Sequence, residues 1–109
     1  MPPSFKTSGL YIRPPDAISY IRGEQIRGTV AFYQRFRGMD IVCRITGLKE
    51  GLFFIDIDKN GSLPLTADKS GSLKAALFGR SLCLGKIKGL HLSLTDNSSK
   101  LAEGKIKRF

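Results

Sequence analysis

The chain has 109 residues, of which 41% are hydrophobic and 25% charged; this is enough apolar material for one compact domain and excludes a disordered tail. No run of 18 apolar residues occurs, so no membrane-spanning helix is expected. Lysine and arginine outnumber aspartate and glutamate 18 to 9, for a net charge of +9, a field that either attracts anionic polymers and surfaces or simply keeps the protein solvated.

Residues 1–15, "MPPSFKTSGLYIRPP", hold four prolines with Ser, Thr and Gly among them. They read as a flexible or extended lead-in, which leaves 16–109 as the folded domain. They lack the apolar stretch of a secretory signal, so the expectation is an intracellular protein.

From Asp16 onward the pattern is β. "AISYI" (17–21) alternates and ends at Arg22-Gly23, and "IRGTVAFYQRF" (26–36) is rich in β-branched and aromatic residues. Arg37-Gly38 reads as a hairpin turn into "MDIVCRITGL" (39–48), and Lys49-Glu50-Gly51 turns the chain again into "LFFIDID" (52–58). Shorter strands are expected at "SLPLTAD" (62–68), "SLKAALF" (72–78) and "RSLCL" (80–84), then at "IKGLHLSL" (87–94) and "GKIKRF" (104–109). Turn signals recur about every ten residues and no segment keeps a helical period, so the expected fold is a single all-β Greek-key barrel or sandwich of about eight antiparallel strands.

Few residues carry obvious chemistry. Cys43 and Cys83 each lie in an apolar run without CxxC spacing, which reads as two buried thiols or one disulfide rather than a metal site. The glycines fall at turns or strand ends and form no phosphate loop. Nucleic-acid binding asks for basic residues interleaved with exposed aromatics. "FYQRFRG" (32–38) and "GKIKRF" (104–109) partly qualify, although Tyr33, Phe36 and Phe109 read better as core or barrel-end packing.

The stretch "GLFFIDIDKNGSLPLTAD" (51–68) opens like a calcium loop, with Asp56, Asp58, Asn60 and Gly61 at D-x-[DN]-x-[DN]-G. The closing bidentate Glu is missing, because Ala67 stands at position 12, and Pro64 lies where a second helix would begin. An EF-hand is therefore not expected. A weak cation site at Asp56, Asp58 and Asn60 stays open as an alternative.

Seven fragments in order carry a resemblance: "RPPDAISYIRG" (13–23), "IRGTVAFYQ" (26–34), "ITGLKEG" (45–51), "LFFIDIDKNG" (52–61), "GSLPLTADKSG" (61–71), "FGRSLCLGK" (78–86) and "DNSSKLAEGKI" (96–106). Together the chain resembles the copper/zinc superoxide dismutase family, most closely its bacterial members, from about Arg13 to Phe109. The resemblance implies a Greek-key barrel with shortened loops. It also implies lost chemistry. Asp56, Asp58 and Gly85 stand where copper histidines belong, and Ser62 replaces the zinc aspartate. Glu103 replaces a disulfide cysteine, and Lys100 the anion-guiding arginine. The loop that would carry the bridging and zinc histidines is absent, since Lys59-Asn60-Gly61 runs straight into "SLPLTAD".

Copper cycling needs imidazoles, and the chain has one histidine, His91, which reads as an ordinary strand residue. Strand alternation points Phe53, Ile55 and Ile57 inward and Phe54, Asp56 and Asp58 outward into water. The expected function is thus a catalytically inactive, metal-free superoxide dismutase-like pseudoenzyme without cofactor. It would act as a binding or structural module, meeting a protein partner or its own copies through the face that loop loss exposes. The alternative is a basic binder of anionic polymer or surface.

Overall fold

In a computed structural model the described residues are 14–58, 61–80, 82–96 and 99–109; nearly all of the expected lead-in, and Asn60, lie outside them. Eight antiparallel strands form one sheet: β1 (Ala17–Gly23), β2 (Arg27–Arg35), β3 (Gly38–Thr46), β4 (Gly51–Ile57), β5 (Gly61–Ala67), β6 (Ser72–Arg80), β7 (His91–Thr95) and β8 (Lys100–Arg108). A single helical turn, α1 (Leu84–Ile87), precedes β7. No helix among the described residues is long and apolar enough to cross a membrane.

The order across the sheet is β5-β4-β7-β8-β1-β2-β3-β6. Hairpins join β1 to β2, β2 to β3 and β4 to β5, whereas the β3–β4 and β6–β7 connections leave one half of the sheet for the other. These crossings make the Greek key. The two strands at the ends of the order, β5 and β6, are joined by the short turn at 68–71, so the sheet curls into a nearly closed barrel with its edges together. Such closure removes most of the exposed strand edge on which another chain could template.

Period-two alternation fills the inside. β3 sends Met39, Ile41, Cys43 and Ile45 inward, and β4 sends Phe53, Ile55 and Ile57, all buried. Val30 and Phe32 of β2, Leu92 and Leu94 of β7 and Ile106 of β8 complete a single core. The inward assignment of Phe53, Ile55 and Ile57 holds, and their hairpin to β5 is two strands, not helix–loop–helix.

Several expected boundaries are corrected. "RSLCL" is not a strand: β6 runs through to Arg80, and the chain then turns helically at Leu84–Ile87. The Leu82–Leu84 alternation mimics a strand, but this segment carries the connection from β6 to β7. The Gln34 side-chain carbonyl accepts the Leu84 N–H at 2.9 Å, and Ile87, three residues on, is fully buried. The strand expected over 87–94 shrinks to His91–Thr95, and the last strand begins at Lys100 rather than 104. Its outward charges, Lys100, Glu103, Lys105 and Lys107, hide the alternation of the buried Ala102 and Ile106.

Gln34 ties one end of the barrel together. Its backbone N–H donates to the Asp16 carboxylate at 2.7 Å, and its side-chain amide donates to the carbonyls of Arg35 at 2.9 Å and Gly38 at 3.0 Å. The adjoining hairpin turns at Phe36-Arg37, one residue before the position expected, with Arg35 opposite Gly38. Tyr33 is buried as expected, but Phe36 and Phe109 are not barrel-end packing. Phe36 is 93% exposed at the hairpin tip, with the Arg37 guanidinium 5.4 Å from its ring centre, and Phe109 is exposed too.

Both cysteines are free thiols, so the disulfide alternative falls. Cys43 is fully buried and Cys83 half-buried; burial pushes the Cys43 thiol up from 9.0 to about 12. The reactive form is the thiolate. In native protein, a maleimide or disulfide reagent at neutral pH should therefore label Cys83 and spare Cys43 until denaturant is added, as peptide mapping will show. Labelling of both at one rate would contradict this burial. The same shift sets a sign for alkaline stability. Unfolded Cys43 releases its proton near 9.0 and folded Cys43 only near 12, so this contribution is intact below the lower value and lost as pH rises between them.

Candidate functional site

The outward residues of β4, β5 and β7 meet in register. Asp56 on β4 lies opposite Ser62 on β5 and Ser93 on β7, and Ser93 lies opposite Glu103 on β8. A shallow depression of about 530 Å³ opens here, lined by Asp56, Asp58, Ser62, His91, Ser93 and Lys100 among others. The structure thus gathers Asp56, Asp58, Ser62 and Lys100, four of the positions singled out from the sequence. Gly85 is not with them: it sits on α1 and does not line the depression.

Asp56 is half-buried rather than in open water. Hydroxyls occupy both of its oxygens: Ser62 Oγ donates to Oδ1, and Thr95 Oγ1 donates to Oδ2 at 3.3 Å. Asp58, one strand repeat along, is exposed, and its N–H donates to the His91 carbonyl at 3.1 Å. Phe54, expected to be exposed, is half-buried, with Pro64 and Thr95 as its cross-strand neighbours.

Lys100 Nζ donates to Glu103 Oε2 at 2.7 Å. That hydrogen bond and the lysine's charge, with a smaller contribution from His91, hold the Glu103 carboxyl below its usual range. Both side chains are exposed, and such a pair contributes little to stability. It does leave Lys100 engaged with Glu103 at the rim of the depression.

His91, expected as an ordinary strand residue, lies in this same depression. His91 begins β7, and alternation in "HLSLT" turns His91 and Ser93 outward while Leu92 and Leu94 are buried. That outward face was legible in the sequence, but the pairing of β7 with β4 was not. Copper and zinc, the metals the resemblance implies, do not fit the residues present. Among the described residues no three His, Cys, Asp or Glu side chains gather where a metal ion could be held, and the Asp56 oxygens already accept hydroxyl protons. The cation alternative at Asp56, Asp58 and Asn60 keeps two of its three members in view, since Asn60 lies outside the described residues.

A second polar surface lies across β8. On the outer face of β1, β2, β3 and β6 the register aligns Tyr20, Thr29, Arg44 and Lys74 in one row and Arg22, Arg27, Thr46 and Ser72 in the next. Fold and surface together define an eight-stranded antiparallel Greek-key barrel protein with one hydroxyl- and carboxylate-lined depression and one basic sheet face. Comparison with protein-family models finds no match, and neither does comparison with curated proteins.

Proposed function

We propose that this barrel works by binding and not by catalysis, as a superoxide dismutase-like scaffold without the copper/zinc machinery. The observation that carries the reading is the state of Asp56. A carboxylate standing at a copper-ligand position accepts hydrogen bonds from Ser62 and Thr95, while Gly85, aligned with another ligand, lies on α1 away from the depression. The Greek-key barrel agrees with the fold that the resemblance implies, although a fold alone carries no activity.

The test is metal content and dismutase turnover after loading with copper and zinc. The expected result is substoichiometric copper and no turnover above that of the free ions. Tight stoichiometric copper with turnover would overturn the reading. Asp56→His with Asp58→His should raise copper affinity only weakly, because the zinc-bearing loop is still absent. A calcium-dependent rise in melting temperature without copper binding would instead support the hard-cation alternative.

Of the two binding modes expected from the sequence, the electrostatic one has the stronger support. Phe54, the apolar residue on which self-association through the stripped face depends, is half-buried. The cations of the β1-β2-β3-β6 face are exposed.

A further inference from the structure

The basic face has a composition that solubility does not require. Tyr20 projects from β1 with 63% of its surface exposed, and Arg22, Arg27, Arg44 and Lys74 stand around it on four neighbouring strands, all exposed. Among the described residues none of these four cations forms an ion pair. Glu103 on β8 lies directly opposite Arg22, but its carboxylate is bonded to Lys100. The adjoining row, Ile18, Ala31, Val42 and Ala76, is a low apolar floor with no acidic residue in it. Phe78, 49% exposed, lies beyond that floor on β6. Strand spacing and rise put it roughly 19 Å from Tyr20, three strands across and four residues along.

We propose that this sheet face binds single-stranded nucleic acid. Phosphates would meet Arg22, Arg27, Arg44 and Lys74, and a base would stack on Tyr20. Among polyanions, the exposed ring favours a single strand. A cationic sheet suffices for a sulfated polysaccharide or an anionic membrane, but only unpaired bases offer a flat π-face to stack on a tyrosine amid arginines. A duplex hides its bases and gains nothing from the ring. The proposal is independent of the dismutase-like reading and would survive the discovery of a bound metal.

The experiment is fluorescence anisotropy of a labelled oligothymidylate of about 12 nucleotides, a length single domains can cover, across a salt series. Four phosphate contacts predict a slope of log affinity against log salt near −3, at roughly −0.7 per contact on a single strand. Arg27→Gln with Arg44→Gln should make that slope shallower by roughly 1.4. Tyr20→Ala should weaken binding roughly tenfold with the slope unchanged, while Tyr20→Phe keeps the affinity. Tyr20 is exposed, so these variants should melt with the parent, which circular dichroism will check. Three results would overturn the proposal: no binding at low salt, no effect of Tyr20→Ala, or preference for heparin, duplex or anionic phospholipid vesicles over the single strand.

Discussion

Replacing Phe32 with alanine should lower the unfolding free energy by about 3–5 kcal/mol. Phe32 sits in the middle of β2, opposite Ala17 on β1 and Ile41 on β3, and is fully buried with both. A barrel interior has no flexible wall to collapse into the space a phenyl ring leaves, because every flanking strand is held by ladders on both sides. Total stability for a domain of this size is about 5–15 kcal/mol, so the loss is a large share of it. At roughly 4–8 °C per kcal/mol, the melting temperature should fall by more than about 12 °C. Denaturant titration should move the midpoint and leave the slope unchanged. A loss below about 1 kcal/mol would mean that Phe32 does not fill the core.

Gly47→Ala should cost about 3 kcal/mol or more, for two separate reasons. Gly47 has φ +87°, a left-handed conformation that costs a residue with a Cβ about 1–2 kcal/mol. An added Cβ would also lie 2.0 Å from the Gln25 carbonyl oxygen, a backbone atom that cannot rotate away. Relief by shifting the chain is blocked as well, since the N–H groups of Gly47 and Leu48 both donate to the Gly71 carbonyl, at 2.9 and 3.1 Å. Three turns thus lock at this end of the barrel: β1–β2 through Gln25, β3–β4 through Gly47 and β5–β6 through Gly71. Gly71→Ala is the control. Its φ is +80°, but its Cβ would approach the Leu48 carbonyl only to 3.4 Å, so it should bear the conformational cost alone. Thermal unfolding of the two variants separates the effects, and equal losses would show that the Gln25 contact is unimportant.

Much of the fold was legible because strand alternation is a local property. "FFIDI" turns Phe53, Ile55 and Ile57 inward whatever lies beside it, and "MDIVCRI" does the same for Met39, Ile41, Cys43 and Ile45. The turns at Gly61 and Gly71 were legible too, and each adopts the positive φ that glycine tolerates, whereas the turn after β3 starts at Gly47, inside the strand expected over 39–48. The approximate strand count and the all-β class followed from these two signals.

What lies beside a strand is set by long-range register, which the local pattern does not contain. "RSLCL" alternates like a strand, yet its part past Arg80 belongs to the crossing toward β7, where Ile87 reaches the core. Asp56 was legible as outward-facing, but its hydroxyl partners lie 6 and 39 residues away. His91 looked ordinary until β7 paired with β4 and brought it to the same depression. The basic face is the clearest instance. Composition by itself determined that the protein is strongly cationic, and alternation determined which side of each strand its charges take. Only the tertiary structure, by setting Arg22 against Arg27 and Arg44 against Lys74 from four strands, decided that they share one surface with Tyr20, because cross-strand pairing brings together residues that the chain keeps far apart.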